Sequence, residues 1–299
     1  MATRDDDFRH LDPAGRVAAG VARNPRITVI AVLSLAVVLA WTMLAAMAIR
    51  GVAANPGLDG PGEALLLQLP ELPLPGFLQR FFTLCLTPTP APDSIGMATQ
   101  AAALAGMWFL MALATMLPSA SPMIRTYCEI ADTARQKGEP SVHPLVLVAG
   151  YLVVWLAASV GFAALTLSVQ ALPSPGRTFG PATGIAGAAA LLVAGAYQFT
   201  SLKEACLTKC RNPFSTLFSR WSDRPGRILR LGVEQGVWCL GCCWALMLVM
   251  FCVGVMNLLW MTLIGLFSLV EKQVKGRFAT WTAGAILLVW AAALLLVSL

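Results

Sequence analysis

With 58% hydrophobic residues and only 12% charged ones, this 299-residue chain lacks the polar skin of a water-soluble globule, which carries roughly 25% charged residues. Its mean hydropathy of +0.73 agrees, and the chain reads as an integral membrane protein whose first partner is the lipid bilayer. The net charge of +6 sits in loops, with no long basic tract and no aromatic stacking platform. It therefore reports topology and excludes nucleic acid as a partner.

An α-helix rises about 1.5 Å per residue and the hydrocarbon core is about 30 Å thick, so a crossing takes about 20 apolar residues. Runs of that kind predict an all-α fold, a polytopic transmembrane bundle of about six spans with seven as the alternative. Residues 1–26 form a cytoplasmic N-terminal segment and 27–299 a single transmembrane domain. Asp5, Asp6, Asp7 and Asp12 dilute the basic flank of the first run, 27–49. That run is also longer than the roughly 7–15 residues of a signal-peptide core, so it reads as a retained first span. The outer loop 51–94 is rich in proline ("PELPLPG", "TPTPAPD") and favours extended or turn backbone. Within it "LQRFFTLCL", 78–86, reads as a short interfacial helix.

Further spans follow at 95–117, 145–170, 182–202, 237–268 and 279–298. The run 237–268 is too long for a straight crossing and reads as one tilted or bent helix, with Gly241, Gly254 and Gly265 as soft points. A helix-turn-helix there is the alternative and would make seven spans. Lys and Arg mark the cytoplasmic side. They gather in the N-terminal segment, in the loop with Arg125, Arg135 and Lys137, and above all between Lys203 and Arg230. These agree on a cytoplasmic N-terminus. The basic loop "EKQVKGR", 271–277, resists, because six spans place it outside. The Ala/Gly-rich "TGIAGAAALLVAGA" suggests close helix packing through small residues.

The fifth run carries the unusual chemistry, "VWCLGCCWALMLVMFCVGVMNLLWM". With Cys239 at zero on a helical wheel, Cys243 falls near 40°, Met250 near 20°, Asn257 near 0° and Met261 near 40°, at about 100° per residue. Met247 lies close by and Cys242 sits on the other edge of the same face. Thiolate and thioether are soft donors that suit Cu(I) best, with Zn(II) an option where thiolates dominate. One turn cannot supply a whole site, so other spans must contribute. Met107 and Met111 stand at i, i+4 in the second span, and Met123 follows the helix-breaking Pro118. Cys206 and Cys210 stand at i, i+4 on a helix entering the basic loop, beside Lys203, Lys209 and Arg211. Neighbouring cations lower a thiol pKa, while Lys203 and Arg211 taken alone read as headgroup anchors.

Each donor has a plainer reading beside it. Methionine in an apolar helix is ordinarily packing material, and free cysteine behaves as a small hydrophobe. That reading covers Cys85, Cys128 and Cys252 taken singly, and it is open for Met107, Met111 and the Cys206/Cys210 pair. Three thiols in one turn exceed what packing asks for. Glu234, just before that turn, reads as solvated at the interface. Only His10 and His143 are present, which excludes a His-rich zinc hydrolase site and paired-His haem ligation. No H-E-x-x-H, G-x-S-x-G or phosphate-binding loop occurs, so an enzyme is not the favoured reading.

The segments "YQFTSLKEACLTKCRNP", "WCLGCCWALMLVMFCVGVMNLLWM" and "MWFLMALATMLPSASPM" resemble a bacterial family of predicted metal-binding integral membrane proteins, DUF2182. The resemblance covers about half the chain. It implies a bacterial inner membrane location and metal binding by the cysteines at 206, 210, 239, 242 and 243. That family often carries histidine where this chain has Gln235. Three functions fit the residues: a copper(I)-handling protein that binds or delivers the ion, a subunit of a membrane oxidoreductase, or an assembly subunit with a membrane-protein partner and cysteines that only pack.

Overall fold

The computed structural model describes residues 12, 15, 25–54, 75–86, 91, 93–171 and 185–298. Most of the segment 1–26, the proline-rich interior of the loop 51–94 and the loop at 172–184 lie outside the described residues. The described residues are helical, with no strand among them. In chain order the helices are α1 Pro25–Ala54, α2 Gly76–Leu86, α3 Ser94–Ser119, α4 Ser121–Gln136, α5 Pro144–Gln170 and α6 Ile185–Tyr197. Then come α7 Ser201–Arg211, α8 Pro213–Ser219, α9 Pro225–Val253, α10 Leu258–Gln273 and α11 Phe278–Ser298.

Helix starts follow capping chemistry. The Asp93 side chain accepts from the Gly96 N–H ahead of α3, and Thr200 accepts from the Lys203 N–H ahead of α7. Such oxygens satisfy backbone donors that a first turn leaves free. His143 accepts from the Leu145 N–H, with Pro144 in the first turn of α5. One of the two histidines is therefore a helix cap.

Among the described residues five helices, α1, α3, α5, α9 and α11, are long and apolar enough to cross a membrane, and α6 is a shorter apolar helix. α9 and α3 form the interior, with 61% and 56% of their most apolar windows buried, against 17% for α1 and 22% for α11. α9 packs on α5, α6, α7 and α10, while α1 lies on α3 and α11 on α6. Ile27, Leu35, Val289 and Leu296 point outward from the two peripheral helices, as a lipid-facing surface requires.

The run 237–268 is not one bent helix. α9 extends back to Pro225 and ends at Val253; Gly254 turns the chain with φ +96°, a conformation that favours glycine. Asn257 then caps α10 by accepting from the Trp260 N–H at 3.1 Å. α10 runs back antiparallel to α9, because Met261 lies near Met250 and Lys272 near Cys239. This helix-turn-helix is the alternative read from the sequence. It carries the basic segment 271–277 back to the side of Lys203 and Arg211, which removes the conflict in the distribution of cations.

α5 and α9 approach each other closely. A Cβ at Gly232 would stand 2.1 Å from the Leu147 carbonyl oxygen, and one at Gly150 only 2.2 Å from that of Leu229. Gly236, one turn on, would meet Val154 at 2.9 Å. Two backbones can approach this closely only where no side chain intervenes. The contact seats Tyr151 of α5 against the cysteine turn of α9.

Candidate metal centre

Cys239, Cys242 and Cys243 lie on one turn of α9, facing the interior, and all three are buried. Their sulfur atoms lie within 4.8 Å of one another. Helical side chains lean toward the N-terminus, and the Cys242 and Cys243 thiols each donate to the Cys239 carbonyl, at 3.0 and 2.8 Å. A fourth sulfur arrives from α7: Cys210 Sγ stands 4.0 Å from Cys242 Sγ. Cys206, one turn earlier on α7, rests over Gly241, where a Cβ would lie 2.7 Å from its sulfur. Donors from two helices therefore meet.

Two side chains that the sequence did not mark complete the surroundings. Lys272, at the end of α10, donates to Cys239 Sγ at 3.0 Å and to Ser119 Oγ at 2.7 Å. Tyr151 Oη lies 3.1 Å from Cys239 Sγ and 3.0 Å from the Met116 carbonyl oxygen. The phenol has one proton. While it is given to Met116, the Cys239 thiol must be the donor toward Tyr151; if Cys239 becomes a thiolate, the phenol can turn and donate to sulfur instead. The ammonium and the phenol thus supply two hydrogen bonds for an anionic sulfur inside an apolar bundle, where an unpaired charge would be costly.

A cavity of about 60 Å³ opens beside this turn, lined in part by Tyr151, Cys210, Arg211, Gln235, Cys239 and Lys272. The Gln235 Nε2 is buried without a hydrogen-bond partner, so its donor group is unmatched at the wall of the cavity. Met123 also lines it, beyond the turn that Pro118 imposes at the end of α3.

The cations next to Cys206 and Cys210 do not act as expected. Lys203 is fully buried and pairs with Glu271 at 3.0 Å, and Arg211 donates to the Glu271 carbonyl at 2.9 and 3.1 Å. Neither is a headgroup anchor, and the Lys203 charge is spent on a carboxylate that Thr280 also bonds at 2.8 Å. Burial pushes the Cys206 thiol up, and the hydrogen bond with Cys242 together with burial holds the Cys210 thiol well above its ordinary range. Glu234 pairs with Arg220 and Arg230 at the surface.

The remaining sulfur donors separate. Met111, Met247 and Met250 line a second crevice together with Met261, Thr115 and Ile264. Met107 is buried on α3 and lines neither cavity. Asn257, placed on the stripe by its spacing, is the cap of α10. Cys85 and Cys252 donate to the carbonyls of Ala103 and Gly187, and Cys128 is buried in α4, in keeping with packing roles. A sequence signal for Lys272 existed only in the charge anomaly at 271–277, and Tyr151 carried none.

The family model described as PpoB2, copper chaperone, matches residues 105–294, more than half of the chain. No curated protein and no solved structure matches the chain.

Proposed function

The chain belongs to the PpoB2 copper chaperone family, and we propose that it carries copper as Cu(I) in the membrane, held by Cys239, Cys242 and Cys243 with Cys210 as the donor from α7. Copper is its cargo. The observation that supports this reading most is the buried trio of thiols within 4.8 Å of one another. Soft sulfur donors of this kind favour Cu(I) and tolerate Zn(II). The segments that resemble DUF2182 all fall within residues 105–294, so the two likenesses concern the same residues.

The cavity opens beside Arg211, Pro213 and Gln273, on the face where the basic segments collect. By the distribution of Lys and Arg this face is cytoplasmic, and the N-terminus lies there too. In a bacterial inner membrane the ion would enter from the cytoplasmic side past Cys210. Cys206, beneath Gly241, would be a reserve thiol. A partner protein in the same membrane would receive the ion, since a chaperone's task ends in delivery.

The test is bound metal. Protein purified from copper-supplied cells is expected to hold about stoichiometric copper, and a variant with Cys239, Cys242 and Cys243 replaced by Ser to hold little. Equal, trace copper in both would refute the assignment.

A further inference from the structure

We propose a second soft-metal site, formed by the thioethers of Met111, Met247, Met250 and Met261 and distinct from the thiol centre. It rests on the copper-handling reading above and adds a separate site to it. The four methionines come from three helices, α3, α9 and α10, and converge on one buried crevice. Cys243, Met247 and Met250 follow one another along the same face of α9. At about 1.5 Å per residue the thioethers lie roughly 6–11 Å further along the helix than Cys243.

The rest of the lining decides which ion can enter. Ile264 is apolar, and the Thr115 hydroxyl donates to the Met111 carbonyl at 2.7 Å. No side-chain carboxylate, imidazole or thiol lines the crevice, and it leaves no room for a water molecule. A hydrated dication would find no charged group there, and the one side-chain hydroxyl is already bonded to a carbonyl. A soft univalent d10 ion, Cu(I) or Ag(I), can be held by neutral thioethers alone, and methionine's flexible chain lets the sulfurs close around it. Neutral ligands leave the ion's charge uncompensated, so this site is weaker than the thiol centre and fills second. Zn(II) is confined to the thiols.

Selenomethionine-labelled protein in detergent, titrated anaerobically with Ag(I) and read by X-ray absorption at the selenium edge, tests this directly. The first equivalent should fill the thiols and leave the selenium spectrum unchanged. The second should add a selenium–silver shell carried by four of the twelve methionines. In the Cys239, Cys242 and Cys243→Ser variant that shell should appear with the first equivalent. It should vanish when Met111, Met247, Met250 and Met261 are replaced by Leu, a volume-conserving change, and Zn(II) should never produce it. If two equivalents bind the unsubstituted protein and selenium sees no metal, the thioethers are packing and this inference fails, while the copper-handling reading stands. If silver does not bind the unsubstituted protein at all, both fail.

Discussion

Replacing Lys272 with Leu removes the ammonium 3.0 Å from Cys239 Sγ and leaves an apolar side chain that offers copper no donor. The sign of the effect reports the charge of the loaded centre. If copper is held by thiolates, three sulfurs and one Cu(I) carry net negative charge and Lys272 stabilises the complex. If the sulfurs bind as neutral thiols, the complex is positive and the ammonium repels it. Coulomb's law for one pair of unit charges at 3.0 Å with an effective dielectric of 20 gives about 5.5 kcal/mol. Most of that is offset, because removing a buried ammonium also removes its desolvation cost. One charge-assisted hydrogen bond is worth about 1.5–3 kcal/mol, which corresponds to Cu(I) binding weakened by about tenfold to hundredfold. Competition against a chromophoric Cu(I) chelator measures this, with thermal unfolding of the metal-free variant as the check on folding. Unchanged or tighter binding by a folded Lys272→Leu protein would refute thiolate ligation next to a compensating cation.

Copper affinity should rise with pH, because Cys206 and Cys210 are held protonated and Cys210 must lose its proton to ligate. The slope is about tenfold per unit for each proton displaced and levels off above the raised thiol range; competition titrations between about pH 6 and 8 read it, and a flat profile counts against proton displacement. Gly232→Ala puts a Cβ 2.1 Å from the Leu147 oxygen, forces α5 from α9, and should cost about 1–3 kcal/mol or more while drawing Tyr151 off Cys239. Gly161→Ala, with no atom within 4 Å of the new carbon, should leave melting temperature and copper binding intact. Lys203→Met leaves Glu271 buried and unpaired, a loss of about 3–5 kcal/mol, and adding Glu271→Met should restore most of the melting temperature.

How much of this was legible in the sequence depends on the distance over which a residue acts. The cysteine turn could be read from helical period, since i, i+3 and i+4 neighbours share a face; the meeting of Cys210 with Cys242, 32 residues apart on another helix, could not. Among the described residues, helices long and apolar enough to cross a membrane stand at five of the six apolar runs, while 182–202 holds only the shorter α6 and the start of α7. Continuing one helix past residue 254 put Met261 on the face of Met250 but about three turns further along it. The two side chains line one crevice instead because the chain turns at Gly254 and α10 folds back beside α9. Lys272 and Tyr151 were hidden, being 33 and 88 residues from Cys239; only tertiary contact joins them. The pairing of Lys203 with Glu271, 68 residues apart, was hidden for the same reason. It overturned the expectation that nearby cations activate Cys206 and Cys210, because a cation already paired with a carboxylate has little field left for a neighbouring thiol.

The most direct test of the thiol centre is X-ray absorption at the copper edge on purified, copper-loaded protein. The account predicts Cu(I) in a shell of sulfur alone, altered when Cys210 is replaced by Ser and abolished when Cys239, Cys242 and Cys243 are. A nitrogen or oxygen shell, or a sulfur shell unchanged in the triple variant, would contradict it.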